Sequence, residues 1–321
     1  MIKDIEKKYG VGALLYSPAL NSKIADAVIG EKIPHPYSLA LCLEDTIGDG
    51  MVEAAETQLC DSLRRIHEAL EKQQFYLPKI FIRVRSPRQI AKIYVRIRCY
   101  DPLLTGFIFP KYTVSNAQAY NHEFMEVSAQ AGNKLWMMPI LESQDIIEPV
   151  TRTEMLRQIR SSIDDVRDHV LNVRVGGNDF SNQFSVRRHY DETIYDILPI
   201  SQLLGDILTF FLRDYIVSGP VWEFFSSDND EWARGLRGEL KLDKLNGFIG
   251  KTVIHPKQIP IVNEMLRVTN KDYQDAKEIL HWDNCGLQVG KSYGGERMNE
   301  VRTHYNWARK IILLSELYGI N

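Results

Sequence analysis

The chain has 321 residues, 44% of them hydrophobic and 25% charged, and its formal net charge is −3. This composition is typical of a soluble globular protein, and the slightly acidic balance argues against a nucleic-acid-binding protein with a wholly basic surface. No apolar stretch reaches the ~18 residues of a membrane span, and charged residues stand at the amino terminus where a signal peptide would be apolar. We therefore expect a cytoplasmic protein with neither nucleic acid nor membrane as partner.

The cysteine spacing and the glycine and proline content indicate neither a disulfide-linked nor a disordered chain. Cys42, Cys60, Cys99 and Cys285 lie far apart and form no Cys-x-x-Cys pair. This spacing suggests neither a zinc site nor a disulfide framework. The 13 prolines and 20 glycines are spread along the chain, without a low-complexity tract or a linker that would separate two domains.

Short apolar segments alternate with amphipathic helical patterns along most of the chain. The predicted strands end near residues 17, 45, 85, 111, 142, 179, 225 and 255. Helices are predicted between them, over about 21–29, 49–71, 115–131, 152–166, 200–216 and 257–268. Eight βα units without hairpin signals predict an α/β fold and favour a TIM-type (β/α)₈ barrel over residues 1–268. The period alone does not exclude an open, doubly wound sheet.

Residues 269–321 break this rhythm and predict a C-terminal helical extension. They contain a glycine-rich turn at 293–295 and an apolar helix around Trp307–Tyr318. Their apolar side chains are too many to remain in water: Ile279, Leu280, Trp307, Ile311, Ile312, Leu313, Leu314 and Leu317. We expect the extension to act as a lid on its own barrel mouth or to pack against a neighbouring subunit.

Carboxylates follow several predicted strands where the strands end. Glu44 and Asp45 follow the second strand, Glu142 the fifth and Asp179 the sixth. The carboxyl ends of parallel barrel strands meet at one mouth, so these acids are expected to lie close together. Glu142 and Asp179 then predict a site for a hard cation such as Mg²⁺ or Mn²⁺, completed by water and substrate oxygens. The alternative is that each acid caps the helix that follows it.

Basic residues near the same mouth allow two interpretations each. One of Arg83 and Arg85 is expected to point into the mouth. The other joins a basic run that comprises Arg88, Lys92, Arg96 and Arg98. This run is either a solvated face or an anchor for the phosphates of coenzyme A or a nucleotide. Lys111 is either a salt-bridge partner of the acids or a Schiff-base lysine. His255 is either structural or a general base.

A series of motifs resembles the HpcH/HpaI aldolase and citrate lyase β-subunit family. They are Leu-Tyr-Ser-Pro-Ala (15–19), Cys-Leu-Glu-Asp-Thr-Ile (42–47), Ile-Arg-Val-Arg (82–85), Pro-Lys (110–111), Pro-Ile-Leu-Glu-Ser (139–143), Gly-Gly-Asn-Asp (176–179) and Gly-Phe-Ile-Gly-Lys-Thr-Val-Ile-His-Pro-Lys-Gln (247–258). The resemblance extends over residues 13–268. The chain is similar to a divergent branch found in bacterial gene clusters linked to tellurite resistance or stress, which makes citrate a poor candidate substrate.

The resemblance implies a TIM barrel that carries a Mg²⁺-dependent carbon–carbon lyase or aldolase. Its substrate would be a 2-oxo or 3-hydroxy acid, in many members a coenzyme A thioester, which reacts through a metal-stabilised enolate. Glu142 and Asp179 would be the metal ligands. Arg83 would be catalytic and would bind substrate, and Glu44 and Asp45 would hold that arginine and the metal's waters.

Other implied residues lie where the chain departs from the family pattern. The sixth-strand motif reads Gly-Gly-Asn-Asp instead of Gly-Ala-Glu-Asp, and the backbone of Gly177 and Asn178 is expected to bind the substrate carboxylate. Arg85 stands where the family often has asparagine. The tail reads Met-Asn-Glu instead of Met-Ile-Asp, so Glu300 is expected to be a catalytic carboxylate carried over a neighbouring active site. This arrangement implies a homo-oligomer, a trimer or a hexamer.

Two other functions are compatible with the same residues. One is a thioesterase-type hydrolase in which the metal and Glu300 activate water. The other is a non-catalytic barrel that binds a metabolite or a partner protein. Metal titration separates the non-catalytic barrel from the two enzymes, and product analysis separates the enzymes from each other.

Overall fold

Parallel strands alternate with helices along most of the chain, as the sequence pattern predicts. The computed structural model describes residues 2–283 and 286–321. The barrel strands are β1 (Ala13–Pro18), β2 (Ser38–Cys42), β3 (Lys79–Arg83), β4 (Leu104–Phe109), β5 (Trp136–Leu141), β6 (Val173–Val175), β7 (Val217–Ser218) and β8 (Lys251–Val253). The α-helices are α1 (Ile2–Tyr9), α2 (Ile24–Ile29), α3 (Val52–Leu70), α4 (Pro87–Ile97), α5 (Ala117–Ser128), α6 (Pro149–Asp164), α7 (Gly177–Gln183), α8 (Leu198–Phe211), α9 (Glu231–Asn246), α10 (Ile259–Leu266), α11 (Asn270–Leu280) and α12 (Val301–Tyr318). Within these described ranges, no helix is long and apolar enough to cross a bilayer.

The eight strands form one parallel sheet that closes into a barrel. Their order is β7-β6-β5-β4-β3-β2-β1-β8. The two ends of this order meet through a parallel bridge between Gly219 and Lys251 and through the N–H of Ile249, which donates to the carbonyl of Val217 at 2.9 Å. The barrel is therefore confirmed over the open sheet.

The barrel interior is filled with apolar side chains from most of its strands. These are Leu14, Ala40, Phe81, Ile108, Trp136, Met138 and Ile140, packed with Val11 and Leu171. Because helices cover the outside of a parallel sheet, both faces of each strand are buried. This explains why the strands read as continuous apolar segments, such as Trp136–Leu141, in which every residue is buried.

The prediction for the seventh strand was wrong. The segment expected to form it, 219–225, lies after β7 and has only the isolated bridge at Gly219. Pro220 has no N–H to offer to a neighbouring strand. The amide of Gln258 instead donates to the carbonyls of Trp222 and Phe224, each at 2.9 Å. This buried glutamine holds the irregular segment against the start of α10.

Other features also differ from the sequence expectations. The sixth strand ends at Val175, so Asp179 lies in the first turn of α7 and not at a strand end. Helices α1, α4, α7 and α9 were not predicted. The basic run around α4 was interpreted only as a solvated face or a phosphate anchor. The amphipathic pattern of α4 nevertheless buries Ile90, Ile93 and Ile97 on one face.

The chain divides into two compact units. The barrel unit is Val11–Val262, and the second compact unit comprises the described residues of Met1–Gly10 and Asn263–Asn321. It contains α1, α11 and α12 and an antiparallel hairpin, β9 (Val289–Lys291) with β10 (Met298–Glu300). The sequence predicted the last helix but not the hairpin. Buried Asp275 on α11 accepts from the N–H of Tyr293 at 2.6 Å and pairs with Arg297 at 2.7 Å. That the extension acts as a lid stays a prediction.

A buried ionic network supports the barrel beside β7, which is its shortest strand. The ammonium of Lys251 on β8 lies 2.8 Å from Glu239 and 2.7 Å from Asp243, both on α9. Arg188 also pairs with Glu239, at 3.2 Å, and the hydroxyl of Tyr195 donates to Asp243 at 2.6 Å. The side chains of Arg188, Glu239 and Lys251 have no solvent exposure, so each charge depends on the others for stabilisation.

We expect Lys251→Met to lower the free energy of unfolding by about 3 to 5 kcal/mol, because it leaves buried carboxylates without their cation. Urea denaturation provides the measurement. Lys241→Met on the exposed face of α9 is the matched control and should change stability by less than about 0.5 kcal/mol. Equal, small effects of the two substitutions would contradict a stabilising role for the network.

Candidate active site

The structure brings four predicted acids together at the carboxyl end of the barrel. Glu44 and Asp45 follow β2, Glu142 follows β5, and Asp179 lies in the first turn of α7. Arg83, the last residue of β3, lies among them. Its guanidinium Nη2 is 2.6 Å from Glu44, 2.9 Å from Asp45 and 3.6 Å from Glu142. One arginine therefore pairs with three carboxylates from two different strands.

Lys111 is a second cation at this mouth. Its ammonium lies 2.5 Å from Glu44 and 2.9 Å from Asp45, and its backbone N–H donates to Glu142 at 2.9 Å. The residue has a left-handed backbone with φ of +47°, a conformation that costs a non-glycine residue about 1 kcal/mol or more. The hydrogen bonds and charges of Glu44 and Asp45 raise the pKa of Lys111 despite its partial burial. The lysine is thus held protonated, which fits a salt-bridge partner and not a Schiff-base nucleophile.

Glu142 occupies a space that only a glycine leaves open. A Cβ atom added at Gly176 would lie 2.1 Å from Oε2 of Glu142. The carboxyl group is buried, with 3% of the side chain exposed, and it is within hydrogen-bonding reach of Asp179. Burial and the nearby Asp179 together raise the pKa of Glu142 to about 8, although the charge of Arg83 opposes them.

The other acids differ in how strongly they hold a proton. Burial, together with the charge of Asp45, raises the pKa of Asp179. Burial also raises the pKa of Glu44, although Arg83 opposes it. Burial would raise the pKa of Asp45 as well, but its hydrogen bonds with Glu44 and Lys111 and the charge of Arg83 lower it to about 2.

The donor set fits a hard divalent cation. Four carboxylates lie against two paired cations, Arg83 and Lys111, which leaves two negative charges when all four acids are ionised. Burial is the main cause that raises the pKa of Glu142 and of Asp179, and the charge of a nearby carboxylate adds to it in each case. Within the described part of the chain, no group of three or more His, Cys, Asp or Glu is arranged to hold a metal. A cation here would therefore depend on water and substrate oxygens for its remaining ligands, as in sites that bind Mg²⁺ with one or two carboxylates.

A pocket of about 390 Å³ opens beside these acids. Its wall includes Asp45, Arg83, Glu142 and Asp179, and also Gly177 and Asn178 from the start of α7; the remaining lining residues include Tyr16, Pro18, Thr46, Ile140, Arg174, Val175, Gly176, Val221, Thr252 and Ile254. The three residues predicted to bind substrate, Arg83, Gly177 and Asn178, thus share a cavity with the two predicted metal ligands.

Arg85 and the basic run lie apart from this cavity wall. Arg85 donates to the carbonyl of Ile47 at 2.8 Å and pairs with Asp49, so it holds the loop after β2. Lys92 and Arg96 on α4 both pair with the buried carboxylate of Glu56, at 2.6 and 3.2 Å. These partners favour the structural interpretation of the run over a phosphate anchor.

His255 has the contacts of a structural residue. Its Nδ1 accepts from the N–H of Lys257 at 3.2 Å, which caps the turn before α10. Its ring stacks on Phe225 with centroids 4.8 Å apart. Burial lowers the pKa of the imidazole, and Lys257 lowers it further.

Glu300 belongs to the second compact unit and not to the barrel unit. It ends β10 at the start of α12, and its N–H donates to Nδ1 of His304 at 2.9 Å. Its catalytic role stays a prediction. Cys42, Cys60 and Cys99 are free thiols, and Cys285 lies outside the described residues.

A family model of carbon–carbon bond lyases of the TIM-barrel fold matches residues 5–320. The chain belongs to the C–C bond lyase family. A similar protein is the L-malyl-CoA/β-methylmalyl-CoA lyase of Cereibacter sphaeroides, with 32% identity over 78 residues, which are 24% of this chain and 21% of that lyase. The chain thus matches about a fifth of the length of that relative.

Several solved structures have a similar fold. CitE of Mycobacterium tuberculosis in complex with magnesium, acetoacetate and coenzyme A superposes with a TM-score of 0.62 at 16% identity, over 96% of this chain and 99% of that one. A citrate lyase β subunit from the same organism, complexed with oxaloacetate and magnesium, gives 0.53 at 15% identity over 81% and 98%. RipC of Yersinia pestis gives 0.53 at 14% identity over 80% and 95%.

Sequence reasoning missed three pocket residues of the C–C bond lyase: Tyr16, Arg174 and Thr252. Tyr16 stands inside a motif noted for its resemblance, and its ring lies 5.6 Å from the guanidinium carbon of Arg83. Arg174 was detectable as a charged residue in the middle of an apolar strand. Thr252 also stands inside a motif noted for its resemblance, but a threonine in a β-strand is ordinary and does not by itself indicate a site.

In the absence of a divalent cation, we expect the lyase to lose stability as the pH rises towards 8. Glu142 binds its proton more tightly in the folded chain, with a pKa of about 8 against an ordinary value of 4.5. Its contribution is complete below the lower value and is lost as the pH rises through the higher one. Urea unfolding in chelator should show a fall of about 2 to 3 kcal/mol from pH 5.5 to 8, since each pKa unit corresponds to about 1.4 kcal/mol.

Glu142→Gln should reduce this pH dependence, whereas Glu126→Gln on the exposed face of α5 should preserve it. The same pH dependence in Glu142→Gln and wild type would show that this carboxyl is already ionised in the folded protein.

Proposed function

We propose that this C–C bond lyase cleaves a 2-oxo or 3-hydroxy acid, with a coenzyme A thioester as one form of the substrate, and that it uses Mg²⁺ or Mn²⁺. The observation that carries the proposal is the excess of two negative charges, with all four acids ionised, around the buried Glu142 and the half-buried Asp179. Similar proteins support it: a malyl-CoA lyase matches in sequence, and a CitE with a similar fold binds magnesium, acetoacetate and coenzyme A.

Glu142 and Asp179 would hold the cation next to the pocket. When bound, it would supply Lewis-acid polarisation of the substrate's carbonyl and carboxylate oxygens. The backbone of Gly177 and Asn178 would orient the substrate carboxylate, since glycine permits close approach of a ligand to the main chain. The pocket wall excludes bulk water from one side of the substrate and so strengthens each of these electrostatic contacts.

Arg83 would stabilise the negative charge that develops when the carbon–carbon bond breaks. In retro-aldol or retro-Claisen cleavage, a base takes the proton of the hydroxyl group that is β to the carbonyl, and the bond between the α and β carbons breaks. The β carbon becomes the carbonyl of one product, and the electron pair of the broken bond forms the enolate of the other. Arg83 lines the pocket as a buried cation held by Glu44, Asp45 and Glu142. Because its position is fixed before reaction, it stabilises the enolate without reorganisation.

The pKa values of the acids constrain which of them carries the proton. Asp45 lines the pocket, but its pKa of about 2 makes it a weak base at neutral pH. It suits the fixed anion that holds Arg83 and Lys111 in place. A general base works best with a pKa near the working pH, which favours Glu44, whose pKa is raised, over Asp45. The resemblance of the tail motif makes Glu300 of a neighbouring subunit the other proposed proton carrier.

We expect Glu142→Gln and Asp179→Asn each to weaken Mg²⁺ binding by at least about tenfold, because each removes a charged ligand. Isothermal titration calorimetry measures the affinity, and circular dichroism checks the fold. Asp49→Asn is the matched control, since this carboxylate is 95% exposed and lies outside the pocket. Wild-type affinity in both ligand variants would overturn the metal site.

Product analysis of the Mg²⁺-loaded enzyme with 3-hydroxyacyl-coenzyme A thioesters and 2-oxo acids then tests the reaction. An aldehyde or oxo acid plus a second carbon fragment supports the lyase. Free acid plus thiol would identify a thioesterase instead, and metal binding without turnover of any tested compound would favour a metabolite-binding barrel.

We expect Arg83→Lys and Arg83→Ala to lower kcat by about 100-fold or more while KM changes little, because the charge matters most in the transition state. The lysine variant preserves a cation and guards against loss of folding. Arg85→Ala is the matched control and should retain most of the turnover. Normal turnover without Arg83, with loss of turnover in Arg85→Ala, would reverse the assignment of the two arginines.

The second compact unit supports a homo-oligomer, and we propose a trimer or hexamer. Several of its large apolar side chains are exposed to solvent, at 41 to 59%: Leu287, Tyr293, Met298, Tyr305 and Ile320. A concentration of such side chains within 34 residues is typical of a protein–protein contact. In this arrangement, Glu300 would serve the active site of a neighbouring subunit.

Mixing inactive Glu300→Gln protomers with inactive Asp179→Asn protomers should therefore restore part of the activity, because a mixed oligomer contains some complete sites. Light scattering gives the oligomeric state, and a turnover assay of the mixture gives the rescue. A monomer in solution or no rescue would contradict action between subunits, whereas full activity of Glu300→Gln alone would remove this residue from the mechanism.

A further inference from the structure

Arg174 is a buried cation without a carboxylate partner in the described chain. It stands in the middle of β6 and is 1% exposed. The other buried lysines and arginines that the structure describes each pair with at least one carboxylate: Arg83, Arg152, Arg188 and Lys251. A buried charge without a counterion costs several kcal/mol, so the protein retains this arginine at a disadvantage to its own stability.

The hydrogen bonds of Arg174 leave its guanidinium only partly satisfied. Nη2 donates to Oγ1 of Thr252 on β8 at 2.7 Å. Nη1 has a long contact of 3.5 Å to Oδ1 of Asn172, and Nε has no hydrogen-bond partner among the described residues. The hydroxyl of Tyr16 on β1 lies within hydrogen-bonding reach. Neutral oxygens thus surround a charge that lacks an anion.

This guanidinium lies deeper in the barrel than the carboxylates at the mouth. Arg174 is paired in register with Ile140 on the neighbouring strand β5, two residues before Glu142. At ~3.3 Å per residue, its Cα lies about 6 to 7 Å below that of Glu142 along the strand direction. Arg174, Tyr16 and Thr252 nevertheless line the same pocket as Glu142 and Asp179. A ligand at the mouth can therefore extend one end towards Arg174.

We propose that Arg174, with the hydroxyls of Tyr16 and Thr252, forms a subsite for a second carboxylate of the substrate, so that this lyase acts on dicarboxylic 2-oxo or hydroxy acids. The proposal rests on the proposed function. One carboxylate of the substrate lies at the acidic mouth, and the other supplies the counterion that Arg174 lacks.

The charge of the subsite favours a carboxylate over a phosphate. A single guanidinium with two hydroxyl groups balances one negative charge, and its planar donors match a carboxylate in geometry. A phosphate carries close to two negative charges at neutral pH, and no second cation without a carboxylate partner lines this pocket in the part of the chain that the structure describes. The acids at the mouth would repel the additional charge.

Calorimetry with two matched probes tests the proposal: 2-oxoglutarate, and 2-oxopentanoate, which lacks the second carboxylate. In the presence of Mg²⁺, the wild-type protein should bind 2-oxoglutarate at least about tenfold more tightly. Arg174→Met should abolish this preference while its affinity for 2-oxopentanoate stays within about twofold. Arg213→Met, at an exposed position, should leave both affinities unchanged.

A merely structural role of Arg174 predicts the opposite pattern, in which both affinities fall together. Arg174→Met should fold at least as stably as wild type, since it removes a buried charge without a counterion. Thr252→Val is the second variant and should lower the preference without abolishing it. No preference in wild type, or a preserved preference in a folded Arg174→Met, would overturn the subsite, as would tighter binding of 3-phosphonopyruvate than of 2-oxoglutarate.

The two proposals fail in different ways. If wild type binds 2-oxopentanoate in a Mg²⁺-dependent manner but shows no preference for 2-oxoglutarate, only the dicarboxylate subsite is refuted. If neither acid binds in a Mg²⁺-dependent manner, the metal-dependent function and the subsite are both refuted.

Discussion

The mouth of this barrel depends on the pairing of Arg83 with carboxylates from two strands. Glu44, Asp45 and Glu142 all lie within 3.6 Å of one guanidinium nitrogen, and the outermost two, Glu44 and Glu142, are 98 residues apart in the sequence. Without that cation, the buried carboxylates of Glu44 and Glu142 would have to bind protons or move into water. Lys111 adds its ammonium and its backbone N–H to the same group, at the cost of a left-handed backbone.

The two cations do not balance all of the negative charge, and this imbalance gives the site its chemistry. Burial and the neighbouring Asp179 raise the pKa of Glu142 to about 8. This carboxyl can therefore hold a proton, which reduces the imbalance. A divalent cation can remove it fully and offers open ligand positions to a substrate. Proton and cation thus compete for the same carboxylates, and Gly176 provides the space in which Glu142 takes part in that competition.

The charges of the barrel lie in two layers with different degrees of compensation. At the mouth, acids exceed bases, which suits a metal and the polar end of a ligand. About two residues deeper, Arg174 is a base without an acid among the described residues, and its neighbours are the neutral oxygens of Tyr16, Asn172 and Thr252. Tyr16 contacts both layers, because its ring lies over Arg83 and its hydroxyl lies near Arg174. This order of charges along the barrel axis would orient a substrate with two anionic ends.

The sequence by itself determined the succession of βα units and the acids at the carboxyl ends of their strands, whereas closure into a barrel was favoured but not decided. The βα period places every strand end at one edge, so carboxylates after the second and fifth strands had to meet whatever the details of packing. Only the tertiary structure decided which bases they meet. The position of Asp179 on α7, the double contact of Lys111, and the reach of Arg174 to Thr252 across β7 depend on strand register and loop conformation. These are set by contacts between segments as much as 78 residues apart, which no local pattern of residues encodes. The seventh strand was mispredicted for the same reason, because Gln258 holds the carbonyls of Trp222 and Phe224 from a distant turn.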